Sequence, residues 1–521
     1  MEYGDTISIE RPADPRSVRL QPDPAPEATS RVVRWLGRLD NASDRLSPIV
    51  VKEVRQIVRG REFNYSFMVS LVVGLLVAFF GAANASSGTG TTGQAVFVAL
   101  TACLALLGIG IVPFGAFSAL RNERLEQTMD LISVTSLSAR KVIIGKLLAQ
   151  AVKLATLFAG MAPFVATSFL LGGIDFVSIV VSLTMVFLVS LWVCAAALMV
   201  SSLAKTRGMS GALLAGGGLI LLLFFGGVGI IPRLLFMLAG GRGGFGGGSF
   251  SIGVPSGPDG WWALAMFVTF GAASLVNLVL LAENRLSSPV ENKSTPLRIG
   301  FFVQFLAIII GFSAVARFTT APRVVEPLAV FGLLHLMIVA AFTVTEEFTV
   351  SRRVLRRIQA PSRWSPLWTI FWPGGGRGAA YVLFQMVLLI VVVRSLSMRE
   401  VGRVVACCGY VCFFTGVPAV LLRWARPRIQ AFYIRIAILV LFSASMVLPD
   451  VLYYIFAQPE FFSLTFSNRH LFNPFRTIAD WHLVETGGLY LVPAIMGVMG
   501  VLTYAILMAM NRRTSRTAPI S

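Results

Sequence analysis

Few residues in this chain have the types and spacing that catalysis or metal binding requires. Its three histidines are His335, His470 and His482. His335 lies in an apolar run, where an ionisable side chain is by default a candidate functional group. Because no partner stands at helical spacing from it, we interpret His335 as a packed, neutral histidine.

The other two histidines fall in a polar segment, 450–488, that also carries four acids: Asp450, Glu460, Asp480 and Glu485. A membrane-embedded transferase would need carboxylates or histidines that converge at one membrane face. These residues follow no catalytic or metal-binding motif. We interpret the segment as a solvated or interfacial outer loop, with metal binding as the alternative.

Two glycine-containing stretches lack the residues that bind phosphate. A phosphate-binding loop has the pattern Gly-x4-Gly-Lys-Ser/Thr. Arg140 stands where the first glycine would precede Gly145-Lys146, and Leu147 follows the lysine. The stretch 373–378 (PGGGRG) has no Lys-Ser/Thr ending. We therefore predict that the chain is not an enzyme, hydrolyses no ATP itself and uses no cofactor.

The composition is that of a membrane protein. Hydrophobic residues make up 56% of the chain and charged residues only 13%, and the mean hydropathy is +0.77. Soluble proteins carry about 25% charged residues. All five cysteines lie in apolar runs, which argues against a disulfide framework or a zinc site. They are Cys103, Cys194, Cys407, Cys408 and Cys412.

About twelve apolar stretches approach the roughly 20 residues that a helix needs to cross a bilayer. We therefore predict an all-α, polytopic helical bundle. The predicted spans are Phe67–Asn84, Ala95–Ala119, Leu147–Leu171, Val177–Ser201, Gly211–Ile231, Trp261–Ala282, Phe301–Ala316, Pro327–Thr345, Ala379–Val393, Val404–Leu422, Ile436–Leu448 and Leu489–Met510.

The net charge of +19 reflects basic residues placed between these spans. They alternate onto one side, which by the positive-inside rule is the cytoplasm, and both termini fall on that side. Contact with anionic lipid accounts for the charge, so no nucleic-acid partner is expected. The predicted organisation is a tail (1–47), a six-span domain (48–283), a linker (284–300), a second six-span domain (301–510) and a tail (511–521).

A basic amphipathic helix is predicted at 47–63, before the first span. Ser47 is a suitable N-cap, and Pro48 suits the first turn. Apolar and basic residues then occupy different faces, as in a helix that lies on the inner membrane surface. The apolar face holds Val50, Val54, Ile57 and Val58, and the basic face holds Lys52, Arg55 and Arg59.

The connection after the second span, 121–146, mixes charges where topology alone favours basic residues. Glu123, Glu126 and Asp130 accompany an apolar stripe of Leu125, Met129 and Ile132. We predict a short docking helix for a soluble partner, with a plain solvated loop as the alternative.

Together the two elements resemble the type-2 ABC-transporter permeases. In that family a Lys/Arg-Glu pair and spaced arginines precede the first span; Glu-Arg, Thr-x-Glu/Asp-Leu and Gly-Lys follow the second. Gln127 and Ser136 depart from the usual Gly and Pro. The matching residues are Pro48, Lys52, Glu53, Arg55, Arg59, Arg61, Phe63, Glu123, Arg124, Thr128, Asp130, Leu131, Thr135, Leu137, Ser138, Gly145 and Lys146.

The resemblance covers residues 48–283 and implies a permease subunit, an exporter, in the cytoplasmic (inner) membrane. A separate ATPase subunit and a dimer or hetero-pair of permease chains are the implied partners, beside membrane lipid. The implied ATPase-coupling loop comprises Glu123, Arg124, Glu126, Thr128, Met129, Asp130, Leu131, Ile132 and Thr135. The implied interfacial helix comprises Lys52, Glu53, Arg55, Arg59 and Arg61.

Two other functions stay open at this stage. One is a membrane-embedded transferase, which would use the outer acids. The other is a non-ABC protein such as a secondary transporter, which would need buried acids or broken helices in both halves. Residues from 284 onward resemble no family, and the role of the second half is open.

The topology is testable by cysteine labelling. With single cysteines introduced at Ser87, Ser249 and Ser515, we expect the first two to react with an impermeant reagent from outside and the third only from inside. Labelling at position 515 from outside would contradict the orientation.

Overall fold

The computed structural model describes residues 48–84, 92–126, 139–172, 174–203, 211, 258–286, 292–318, 325–346, 369–425, 429–457 and 471–517. Within these ranges the regular secondary structure is entirely helical. The predicted fold class is confirmed: the protein is an all-α, polytopic helical bundle of the kind that crosses membranes.

The first bundle combines one short amphipathic helix with long apolar ones. A π-helical turn, Leu106–Ile111, joins α3 and α4 into one continuous span. Its helices are α1 (Pro48–Arg59), α2 (Arg61–Asn84), α3 (Thr92–Ala105), α4 (Val112–Leu125), α5 (Ala139–Leu170), α6 (Phe176–Ser201) and α7 (Pro258–Leu286).

The second bundle follows α7 directly and packs against it. Short 3-10 turns at Thr369–Phe371 and Met398–Glu400 precede two of its helices. Those helices are α8 (Ser294–Phe318), α9 (Val325–Thr343), α10 (Gly375–Leu396), α11 (Val401–Ala425), α12 (Ala431–Ala457), α13 (Pro474–Ala479), α14 (Trp481–Thr486) and α15 (Leu491–Thr517).

Eleven helices in the described ranges are long and apolar enough to cross a membrane. They correspond to eleven of the predicted spans; the other, Gly211–Ile231, lies outside the described residues except for Gly211. Helix α7 continues to Leu286 and α8 begins at Ser294, so both extend into the segment predicted as a linker. Polar helix ends explain the shorter prediction, because a hydropathy criterion stops at the first charges.

The described parts of segment 450–488, residues 450–457 and 471–488, are largely helical. Asn473 caps α13 by accepting the backbone N–H groups of Phe475 and Arg476. Ile478 and Trp481 are buried within the second bundle. Two short amphipathic helices therefore cover one end of this bundle. Their buried faces are too short to give a recognisable periodic pattern in the sequence.

The start of α6 has a local cap of the same type. The Asp175 carboxylate accepts the Ser178 backbone N–H at 2.9 Å and the Ser178 hydroxyl at 2.6 Å. These hydrogen bonds lower the pKa of Asp175, because they favour its charged form. The cap defines where the fourth predicted span begins.

The apolar cores of the two bundles meet at α7. Leu281 belongs to the core of the second bundle, whereas Val279 and Ala282 belong to that of the first. Met199 of α6 packs against both cores. The bundles thus share a packed interface rather than a linker alone.

Glycines bring α11 and α15 close together. A Cβ on Gly500 would lie 2.6 Å from the backbone nitrogen of Phe413, and one on Gly409 would lie 2.9 Å from the Cα of Gly497. Small residues permit such close helix packing in membranes, where dispersion contacts drive association.

We predict that Gly500→Ala destabilises the protein by about 1–3 kcal/mol, the usual range for overpacking. Gly271→Ala is the matched control, since its Cβ would have no neighbour within 4 Å. Thermal unfolding of both purified variants tests this. Equal stability of the two would contradict the close packing of α11 against α15.

Candidate functional site

A buried ion cluster joins three helices at the end of the first bundle that the basic loops assign to the cytoplasm. Lys146 of α5 donates to the Glu53 carboxylate of α1 at 2.9 Å and to the Glu123 carboxylate of α4 at 2.8 Å. Lys146 is 2% exposed and Glu53 6%. We call Lys146, Glu53 and Glu123 the Lys146 cluster.

Local sequence places each member of this cluster. Glu53 lies one turn after Val50, and both are buried on the inner face of α1, which packs on α5. Glu123 lies in the last turn of α4. Lys146 is seven residues into α5, about 10 Å along the helix axis. Glu53, Glu123 and Lys146 therefore lie at the same height in the bundle.

The charges of the cluster are mutually dependent. A lysine ammonium out of water costs several kcal/mol unless it is paired and hydrogen-bonded. Two carboxylates near one ammonium would repel each other without it. Glu53 of α1 and Glu123 of α4 therefore both depend on the single cation of α5, and Lys146 depends on these two carboxylates.

Further contacts extend this connection to α6 and α7. Arg124 donates through Nη1 to the carbonyl of Ser202, directly after α6. The Ser201 hydroxyl donates to the Phe117 carbonyl at 2.8 Å. Arg140, near the start of α5, pairs with Glu283 of α7 at 2.8 Å. All these contacts lie on the side that the basic loops assign to the cytoplasm.

A buried polar stripe continues from Lys146 along α5. Gln150 and Lys153 follow at one and two helical turns and are 3% and 4% exposed. Lys153 interacts electrostatically with Glu62 of α2. The sequence shows these residues only as isolated polar positions in an apolar span; their i, i+4, i+7 spacing from Lys146 is the signal that would have found them.

The residues predicted on the interfacial helix lie on two different faces of it. Lys52, Arg55, Arg59 and Arg61 are exposed, as expected of a basic face. Glu53 instead turns inward to Lys146. The helix therefore contacts the bundle through one face, where the sequence analysis assigned it only to the membrane surface.

The predicted coupling loop is described only at its beginning. Residues 121–125 continue helix α4, and Glu126 is its exposed C-cap. The Glu123 carboxylate binds Lys146, and its pairing with a partner protein stays a prediction. The remaining loop residues lie outside the described ranges: Thr128, Met129, Asp130, Leu131, Ile132 and Thr135.

A second buried cation closes the corresponding end of the second bundle. Arg298 of α8 is fully buried and pairs with Glu346, just after α9. Its guanidinium also donates to the carbonyls of Ile370, Trp372 and Gly374 at 2.6–3.1 Å. This contact was not predicted, because Arg298 lies in the segment assigned to the linker.

The other candidate residues form no catalytic arrangement in the described ranges. His335 is buried and stacks on Phe305, with 5.5 Å between ring centroids. Asp480 lies 3.8 Å from Arg476 within one helical turn, and His482 is exposed. His470 lies outside the described ranges. Among described residues no group of three or more His, Cys, Asp or Glu side chains is arranged to hold a metal.

No protein-family model matches this chain, and no curated protein or solved structure is significantly similar to it. The resemblance to type-2 ABC permeases therefore remains a hypothesis carried by the chain's own residues and contacts.

We predict that Lys146→Met destabilises the protein by about 3–5 kcal/mol, because it leaves two carboxylates without their cation. Glu123→Gln should cost less, since Lys146 keeps Glu53 and Glu123 is partly exposed. Lys141→Met, at an exposed position of the same helix, is the control. Thermal unfolding in detergent measures all three. If Lys146→Met were as stable as Lys141→Met, the cluster would have no structural role.

Proposed function

We propose that this chain is the membrane-spanning permease subunit of an ABC transporter, an exporter driven by a separate ATPase. The Lys146 cluster is the observation that carries the proposal. Its three members belong to three of the motifs on which the family resemblance rests: Lys/Arg-Glu before the first span, Glu-Arg after the second, and Gly-Lys entering the third. Residues chosen for their motifs, and distant in sequence, are in direct contact.

This contact suits the transmission of movement. The predicted coupling loop connects the end of α4 to the start of α5, and both helix ends are tied to α1 by the cluster. A displacement of the loop would therefore move three helices together. Differential contact of the ATPase with the loop in its two states would bias the helices between two arrangements.

The loop itself supplies the docking surface in this proposal. Glu123 is used internally, so docking falls to Glu126, Asp130 and the apolar residues Met129 and Ile132. Exposed charge pairs contribute only about 0–1 kcal/mol each. Truncation of a buried apolar anchor at an interface costs about 2 kcal/mol or more. Affinity should therefore rest mainly on the apolar side chains.

The first test separates docking from coupling. The double variant Met129→Ser/Ile132→Ser should lose the ATPase in pull-down, or bind it without transport-linked stimulation, since its apolar anchors are gone. Glu123→Gln should keep the ATPase but reduce transport-linked stimulation, because the connection from loop to helices is weakened. Both are measured in proteoliposomes with the ATPase that co-purifies with the unaltered chain from its native membrane.

Asn122→Ala is the control, since Asn122 is exposed on α4 directly before Glu123. It should behave like the unaltered chain. Normal ATPase binding and transport by the double serine variant would remove the loop from the mechanism. A chain that retains no ATPase when purified from its native membrane would contradict the proposed function itself.

A further inference from the structure

Three sulfur-containing side chains lie together inside the second bundle. Met386 of α10 is 3% exposed, and Cys408 and Cys412 of α11 are 7% and 1% exposed. The Cys412 thiol donates a hydrogen bond to the Met386 sulfur, with 3.6 Å between the two sulfur atoms. All three residues belong to the same apolar core. We call Met386, Cys408 and Cys412 the sulfur cluster.

Helix geometry places Cys408 beside the Cys412–Met386 pair. Cys408 and Cys412 are four residues apart, so they lie on one face of α11 with about 5–6 Å between their Cβ atoms. The two thiols are close enough to interact electrostatically. Helices α10 and α11 pack directly against each other. Two neighbouring helices therefore supply the three sulfur atoms.

Helix α15 encloses the cluster from a third side. A Cβ on Gly500 would lie 2.6 Å from the Cβ of Cys412, so only a glycine permits this approach of the two helices. One turn further along, the hydroxyls of Thr415 and Tyr504 share a hydrogen bond of 2.8 Å. The sulfur cluster is thus shielded from water by α10, α11 and α15.

The chemistry of these groups favours a soft cation. Thiolate and thioether sulfur select Cu(I), whereas Mg²⁺ and Ca²⁺ prefer oxygen ligands. Because metal–sulfur bonds are about 2.3 Å long, two sulfur atoms that share one ion at a tetrahedral or trigonal angle lie about 3.8–4.0 Å apart. The 3.6 Å between the sulfur atoms of Cys412 and Met386 is within a few tenths of an ångström of this separation.

A monovalent ion also suits the charge of a site that is buried in a membrane bundle. The hydrogen bond places the Cys412 thiol proton between two sulfur atoms. Exchange of this proton for one Cu(I) leaves a thiolate and a single positive charge, so the site stays neutral. Burial of an unpaired charge would cost several kcal/mol, and this exchange avoids that cost.

We propose that the sulfur cluster binds one Cu(I) ion. Cys412 loses its proton and supplies a thiolate, Met386 supplies a lone pair of its thioether sulfur, and Cys408 supplies the third sulfur. One proton is released to solvent for each ion bound, and copper stays in the Cu(I) state throughout. This site gives the second bundle a binding role that does not depend on the proposed ATPase partner.

Competition for Cu(I) with the chelator bathocuproine disulfonate tests the proposal on the purified, reduced full chain without oxygen. We expect the chain to retain one Cu(I). Its apparent dissociation constant should fall about tenfold for each unit rise in pH, because one proton leaves for each ion bound. Zn²⁺ should not displace the copper, since zinc sites use Cys, His or carboxylate ligands and are usually four-coordinate. Displacement by equimolar Zn²⁺ would contradict a Cu(I) site.

Met386→Leu removes a ligand while it conserves side-chain volume, a change that packed cores tolerate well. It should raise the apparent dissociation constant at least about tenfold, since even the loss of a group that only orients a ligand typically costs 10–100-fold. Cys412→Ser should lose binding, and it serves in place of Met386→Leu if that variant does not fold. Cys194→Ser is the matched control, because Cys194 is a buried thiol of the first bundle.

The control should bind Cu(I) like the unaltered chain. If Met386→Leu and Cys194→Ser had equal dissociation constants, the copper would be bound by thiols in general and the proposal would be overturned. Transfer of all copper from the unaltered chain to an equimolar amount of the chelator would overturn it as well.

Discussion

A cation that is buried away from water must be paired with negative groups, and the helices of the first bundle are arranged to supply them. Lys146 stands in a membrane helix with almost no exposure, and two carboxylates from two other helices neutralise it. An unpaired buried charge is unfavourable for each of the three groups. Their pairing therefore fixes the positions of α1, α4 and α5 relative to one another. The amphipathic helix, the end of the second span and the start of the third therefore act as one unit, and the proposed coupling depends on this unit.

In the second bundle the buried cation, Arg298, is paired with a different set of acceptors. Arg298 takes one carboxylate and three backbone carbonyls, so a single buried side chain holds the segment before α10 against α8 and α9. Both bundles are thus closed on the same side by a buried cation that pairs with a carboxylate from another element.

Sequence reasoning succeeded where one physical signal dominates. Spans such as α2, α5 and α6 were predicted because continuous apolar character needs no tertiary partner to be recognised. It failed where a polar residue is buried by its neighbours. Ser294–Gly300 was assigned to a linker because of its charge and polarity, yet it is the first part of α8. Segment 450–488 was interpreted as a solvated or interfacial loop, yet Ile478 and Trp481 are buried in its described part. The contact of the Glu123 carboxylate with Lys146 was not predicted.

By itself, the sequence determined that this is a polytopic helical membrane protein, which side its basic loops favour, and which two elements carry charged motifs, since these follow from hydropathy, charge and spacing. Only the tertiary structure decided which charges are paired. Ion pairing depends on distances of a few ångströms between residues such as Glu53 and Lys146, which are far apart in the chain, and no local pattern encodes that distance. The burial of Arg298 has the same origin, because helix packing determines which carboxylate and carbonyl groups its guanidinium reaches.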